Sequence, residues 1–281
     1  MKIASPPRAG NLTEGNLTKQ EQVFSLCYDP LYDELLQAPG IVWLSDVHDI
    51  NYLRNVFNLK VVNGFGNTYE AVLDHATQSV DAMYSAAYAA VTSESRVAFA
   101  PCSGFHHAGY DYASGYCTFN GLVAAAVRLR KLNLVNQVTI IDGDGHFGDG
   151  TQDIIDQLNL TWLRHVSLDY NTVRASPAKA MKLLIDGLSH STDLVLYQAG
   201  ADAHKADPYE AGYLSDAGWH ERDLLVFNTC KAKGYPVAWN LAGGYNGMKT
   251  LTLHTQTFAA ALQVYEPDSP RLVQGFVCGP A

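Results

Sequence analysis

The sequence predicts an α/β fold, a single domain built on one parallel β-sheet with helices covering both faces. Three observations predict it. Short apolar runs alternate with amphipathic helical stretches along the chain. The apolar runs are continuous rather than alternating, which is the pattern of strands buried on both sides. Polar, glycine-rich sets follow directly after those runs, where open parallel sheets bind their ligands.

Taken in order, the first long helical pattern is the Ala-rich, amphipathic stretch 68–91, and "RVAFAP" at 96–101 is the first strand candidate. "FNGLVAAAVRLRKL" (119–132) reads as a helix and "QVTIID" (137–142) as a strand. "WLRHVSL" (162–168) is a strand candidate, "AKAMKLLIDGL" (178–188) a helix, and "DLVLYQAG" (193–200) a strand. A helix at 218–234 and a strand at 235–244, "YPVAWNLAGG", complete the alternation. Low-complexity linkers and repeats are absent, so one domain over 1–281 is expected.

The chain has 281 residues, 47 % apolar and 17 % charged, enough for a sizeable core. Its net charge of −9 and lack of Lys/Arg runs argue against a nucleic-acid partner. No apolar run approaches a membrane span, and the polar N-terminus lacks the apolar core of a signal peptide. Five scattered cysteines (Cys27, Cys102, Cys117, Cys230, Cys278) form no CxxC pair, which suits a reducing, cytoplasmic compartment.

Chemistry gathers at the strand ends. "DGDGHFGDG" follows the strand at 137–142 and alternates Asp142, Asp144 and His146. In extended backbone alternate side chains point the same way, so Asp144 and His146 would present oxygen and nitrogen to one cation. Asp202, in "AGADAHKADP" after the strand at 193–200, is the natural third donor. Two carboxylates and one imidazole leave positions open, as a catalytic site requires; zinc fits, and the carboxylate content also admits Fe²⁺. Taken alone, Asp/Gly clusters also make simple turns.

His106 and His107 sit in the glycine-flanked "CSGFHHAG" after the strand at 96–101. Either ring can serve as acid or base near neutral pH, and a carboxylate behind each would orient it. Asp142 and Asp149 are the carboxylates the neighbouring loop offers. Tyr245, after "AGG", would donate to a developing oxyanion. A metal to polarise a carbonyl, a base, an acid and a phenol together make metal-dependent amide hydrolysis.

These motifs resemble the histone deacetylase superfamily, which includes acetoin-utilisation and acetylpolyamine amidohydrolase proteins. "SGFHHAG" resembles its tandem-His motif, with "DYASGYCTFN" downstream. "DGDGHFGDGTQD" resembles its Asp-x-Asp-x-His metal motif, "GADAHKADP" the segment of the third ligand, and "LAGGYN" the turn with the catalytic Tyr. The match is strongest over about 63–264. The resemblance implies an arginase–deacetylase type of fold, with Asp144, His146 and Asp202 as Zn²⁺ ligands. It implies His106 and His107 as a catalytic pair backed by Asp142 and Asp149 respectively, and Tyr245 as the phenol that polarises the carbonyl. It also implies a structural K⁺ at Asp142, Asp144, His146, Ser167 and Leu168, and a tunnel wall at Gly115 and Tyr116. The substrate it implies is an acylated amine, either an acyl-lysine peptide or a small acylamine such as an acetylpolyamine.

The sequence departs from the family at Gly145, Tyr116 and Phe147. The segment after Ser167 is too short for the loop that usually carries the opposite aromatic wall. The expectation is a tunnel that is shallower or rebuilt, with Tyr170 or the N-terminal segment as candidates. Two other readings stay open. A two-metal ureohydrolase-like enzyme would need a second Asp where Ala206 stands. A catalytically quiet binding protein of the same fold would not need the complete residue set. The sequence does not fix the oligomeric state.

Overall fold

The computed structural model describes residues 1–10, 12, 15–36, 43–209 and 211–273. In chain order the elements are β1 (Lys2–Ala4), α1 (Gly15–Cys27), β2 (Glu34–Leu36), a 3-10 turn (Leu44–Asp46), α2 (Ile50–Phe57) and α3 (Glu70–Thr92). Then come β3 (Val97–Ala100), α4 (Gly121–Lys131), β4 (Val138–Asp142), α5 (Asp149–Gln157), β5 (Leu163–Ser167), α6 (Tyr170–Val173) and α7 (Pro177–Gly187). The chain continues through β6 (Leu194–Gln198), a second 3-10 turn (Ala201–Ala203), α8 (Asp216–Lys233), β7 (Val237–Asn240), α9 (Gly247–Tyr265) and α10 (Pro270–Val273).

The strands form one seven-stranded parallel sheet in the order β2-β1-β3-β7-β6-β4-β5. Every residue of β3, β4, β6 and β7 is buried, as their unbroken apolar runs predict. At the edge, β5 exposes Arg164. Side chains alternate between two cores. Ala98, Ile140 and Leu196 join α3 and α4 on one face. Phe99, Ile141, Val195 and Trp239 join α8 and α9 on the other, where Phe99 stacks on Trp239 at 4.9 Å.

Local chemistry sets the helix ends. Ser176 caps α7 ahead of Pro177, Asn120 caps α4 through the Val123 N–H, and Gly234 closes α8 in the left-handed region. The five expected strands and four expected helices are all present, with ends shifted by one or a few residues. The strands β1 and β2 and the helices α1, α2, α5, α6, α9 and α10 lie outside that expectation. Three-residue strands are too short to show a period. In α9, four threonines weaken the intrinsic helix preference, and burial of Leu253, Phe258 and Leu262 outweighs it.

The register aligns the site. Asp142 pairs with Gln198, Gln198 with Asn240, and Asn240 with Ala100. Four neighbouring strands therefore finish level, and their loops leave along one edge. Cys27, Cys102, Cys117 and Cys230 are free and buried; Cys278 lies outside the described residues. Among the described residues, no helix is long and apolar enough to cross a membrane.

Candidate active site

The loop after β4 carries Asp142, Asp144 and His146, and the turn after β6 carries Asp202. Ligand atoms of Asp144, His146 and Asp202 all lie within 4.8 Å of one another. Among the described residues this is the single such group. His146 Nδ1 is 2.8 Å from Asp202 Oδ2 and 3.3 Å from Asp144 Oδ1. Backbone holds the carboxylates in place. The Gly145 N–H donates to Asp202 Oδ1 at 3.0 Å, and the Gly243 N–H to Asp144 Oδ2 at 2.9 Å. Gly243 has to be glycine: a Cβ there would stand 2.5 Å from Asp202 Oδ2 and 2.6 Å from Asp144 Oδ2.

The donor set suits a divalent cation. Burial, and then the Asp144 charge, push the Asp202 carboxyl up to about 7. Hydrogen bonds to Asp144 and Asp202 hold the His146 imidazole up at about 10. Two buried carboxylates thus enclose a proton on His146, and a cation at the same place would relieve their repulsion. Two oxygens and one nitrogen, with open positions, match a catalytic zinc or iron site.

His106 and His107 stand side by side, their ring centroids 4.0 Å apart. Each Nδ1 faces its own carboxylate: His106 to Asp142 Oδ2 at 2.8 Å, and His107 to Asp149 Oδ1 at 2.5 Å. His106 Nε2 also lies 3.7 Å from Asp144 Oδ1. Burial alone would lower the His106 imidazole, but Asp142 and Asp144 outweigh it and raise it to about 9. Asp149 opens α5, where a helix N-terminus favours a negative charge. Gly115, at φ +50°, packs flat on His107; a Cβ there would sit 2.4 Å from the ring.

Tyr245 is placed by its own N–H, which donates to Asp207 Oδ2 at 2.8 Å. Burial, with the Asp144 and Asp202 charges, raises its phenol far above the ordinary range, so it stays a donor. The mouth is a depression of about 190 Å³ lined by His107, Gly115, Tyr116, His146, Tyr209 and Tyr245. Tyr209 meets Tyr245 edge-on at 4.5 Å, and its hydroxyl is 3.5 Å from that of Tyr116. Asp142 and Ser167 are register partners, and Leu168 follows. The Asp142 carbonyl accepts from Leu168 N, and the Leu168 carbonyl from the Tyr213 hydroxyl.

The family model for the histone deacetylase domain matches residues 41–163 and 159–262. The chain belongs to the histone deacetylase family. Membership makes it a deacetylase-type hydrolase, and its sheet is the arginase–deacetylase type. An uncharacterized protein of Picosynechococcus sp. is 29 % identical over 91 % of this chain and 90 % of its own. Histone deacetylase 15 of Arabidopsis thaliana is 26 % identical over 50 % of this chain and 31 % of its own. The solved acetylpolyamine aminohydrolase of Burkholderia pseudomallei superposes with a TM-score of 0.71 at 18 % identity, over 94 % of this chain and 99 % of that one. The HD domain of HDA15 gives a TM-score of 0.67 at 18 % identity, over 96 % and 95 %.

Three residues of the site have no role in the sequence reading. Tyr209 forms the second aromatic wall, a place expected for Tyr170 or the N-terminal segment. Tyr170 instead opens α6, with its N–H on the Gly145 carbonyl. Asp207 anchors Tyr245. Lys19, on α1 and 5 % exposed, donates to the carbonyls of Ala242 at 2.6 Å and Gly244 at 3.4 Å. No local signal links Lys19 to a loop 223 residues away.

Proposed function

We propose that this chain is a metal-dependent amidohydrolase that removes the acyl group from an acylated amine. The observation that carries the reading is the meeting, at one sheet edge, of two His–carboxylate pairs, a three-donor metal cluster and a buried phenol. Asp144, His146 and Asp202 would hold the ion, Zn²⁺ or Fe²⁺. A bound ion would supply Lewis acidity and bring the pKa of water at the site down toward about 7.

The chain's own residues manage the protons. His107, partly exposed at the mouth and oriented by Asp149, takes the proton of the attacking water. His106, which Asp142 favours in its protonated form, places positive charge beside the developing oxyanion. The Tyr245 hydroxyl donates to that oxygen. The proton on the imidazole passes to the nitrogen as the C–N bond breaks, releasing a carboxylate and an amine. A structural K⁺ near Asp142, Ser167 and Leu168 belongs to the same reading.

An acylated amine fits the mouth, where Tyr116, Tyr209 and Tyr245 offer aromatic faces to an alkyl chain. Acyl-lysine peptides and small acylamines such as acetylpolyamines are the two classes to try. The test is turnover of a fluorogenic acyl-lysine series and acylpolyamines by metal-reconstituted protein, beside Tyr245→Phe and His107→Ala. Each variant is expected to lose about 10²- to 10³-fold in kcat/KM. Absence of turnover on every substrate with metal bound overturns the reading in favour of a binding protein.

A further inference from the structure

Arg222, on α8, is 0 % exposed and takes no part in the proton transfers. Its guanidinium has two working edges. Nε and Nη2 lie 3.0 and 2.9 Å from Asp223 Oδ1. Nη1, on the other edge, donates to the Gly143 carbonyl at 2.9 Å and reaches the Gly200 carbonyl at 3.4 Å. Gly143 stands between Asp142 and Asp144, and Gly200 is two residues before Asp202. One nitrogen therefore touches both loops that carry the three-donor cluster.

The surroundings hold the guanidinium still. Asp223 is buried and also accepts from the Tyr197 hydroxyl and, at 2.6 Å, from Thr257 Oγ1. The guanidinium carbon lies 3.7 Å from the centre of the Trp219 ring, and Trp219 Nε1 donates to the Leu253 carbonyl on α9 at 3.2 Å. The loops are packed as closely. A Cβ on Gly143 would stand 3.3 Å from Nη1, and one on Gly200 would stand 2.5 Å from Asp144 Oδ2. The Gly200 backbone thus meets Arg222 at its carbonyl and the Asp144 carboxylate at its Cα. Pairing with Asp223 uses only Nε and Nη2, and a buried ion pair adds little stability over apolar side chains of the same volume. Stability alone therefore gives no reason for Nη1 to lie between the two metal-bearing loops.

On the reading of Asp144, His146 and Asp202 as a divalent-metal site, we propose that Arg222 is a positioning residue for that site. It ties the loop of Asp144 and His146 to the loop of Asp202 and so sets the spacing of the three donors. It acts through backbone carbonyls and lends the metal no ligand of its own. Groups that orient metal ligands in this way govern affinity as well as geometry.

The test reads metal affinity. Metal-free protein is titrated with Co²⁺ and with Zn²⁺ against a competing chelator, and the visible Co²⁺ spectrum is recorded at saturation. Arg222→Lys keeps a charge for Asp223, but a compact ammonium cannot serve Asp223 and both carbonyls at once. Arg222→Met combined with Asp223→Asn removes both charges, and Asn still accepts from Tyr197, so no ion is left stranded in the core. Each is expected to bind metal about ten- to a hundredfold more weakly than wild type, with an altered Co²⁺ spectrum. Thr257→Val is the control. It removes a partner of Asp223 and should lower thermal stability while leaving metal affinity and spectrum as in wild type. Wild-type affinity and spectrum in either Arg222 variant overturn the proposal and leave the metal site standing. An affinity loss in Thr257→Val equal to theirs overturns it too, since stability alone would then set affinity. If wild type itself binds neither Co²⁺ nor Zn²⁺, the metal-dependent reading fails and this proposal falls with it.

Discussion

His48 and His106 are both sealed from solvent, at 2 % and 4 % exposed, yet the first is held neutral and the second protonated. His48 joins two stretches of backbone. Its Nδ1 donates to the Gly109 carbonyl at 2.8 Å, and its Nε2 accepts from the Asn120 N–H at 3.0 Å. Burial pushes it down to about 4, so it stays neutral and clamps the two ends of the segment 109–120, which follows His106 and His107. His106 pays the same desolvation penalty, but Asp142 and Asp144 reverse it, to about 9. The contrast teaches that burial alone silences an imidazole, and only a carboxylate behind it makes a usable cation.

The sharpest way to break this contrast is Asp142→Asn. The amide keeps the shape and can still accept from His106 Nδ1, so geometry survives while the charge goes. His106 should then lose the largest of the carboxylate charges that raise it, and its imidazole should fall toward that of His48. In the metal-free variant, the His106 ring resonance should titrate clearly below the wild-type value of about 9 in an NMR experiment. kcat/KM of the metal-loaded variant should fall by about 10²-fold or more, as expected when the orienting carboxylate behind a catalytic histidine is lost. A variant with near-normal turnover would show that His106 does not need its charge.

The next effect lies on the other histidine and concerns stability. His48 has a folded pKa of about 4, below the unfolded value of 6.5. Between those values the unfolded chain binds the extra proton, so this contribution is whole above pH 6.5 and is lost as pH falls toward 4. At its limit it amounts to about 3 kcal/mol. Gln in place of His48 can donate to Gly109 and accept from Asn120 without titrating. The stability gap between wild type and His48→Gln should therefore shift by up to that amount between pH 6.5 and 4 in denaturant melts. A gap that stays constant with pH would mean that His48 is already charged in the fold.

This same contrast marks what a sequence reader can see. Tandem His, alternating Asp-x-Asp-x-His and a Gly-Gly-Tyr turn are local patterns, so the strand ends and their chemical groups are legible directly. His106 and Asp142 are 36 residues apart, but level strand ends make their meeting predictable once the sheet is assumed. Other residues act across the fold without a local pattern. His48 reaches 61 residues to Gly109, Lys19 reaches across the sheet to Ala242, and Tyr209 is one tyrosine in a turn. These roles come from packing of distant segments, and nothing in the neighbouring sequence sets them apart from ordinary core or surface residues.

The smallest expected effect comes from the pair that sits between the two extremes. His107 faces Asp149 as His106 faces Asp142, but the Asp149 side chain is 56 % exposed. Partial burial would raise this carboxyl, and the His107 hydrogen bond and charge, with the Gly150 N–H, together outweigh it and lower it. Being depressed, its contribution is present above the unfolded carboxylate value and fades as pH falls through the folded one. Solvent screens this pair, so Asp149→Asn should cost about tenfold in kcat/KM and leave thermal stability nearly unchanged. The loss should also shrink as salt rises from low to about 0.5 M, because mobile ions already weaken an exposed pair. The Asp142→Asn loss, sealed from those ions, should not move. If the two variants lose equal activity with equal indifference to salt, then burial is not what separates the two pairs.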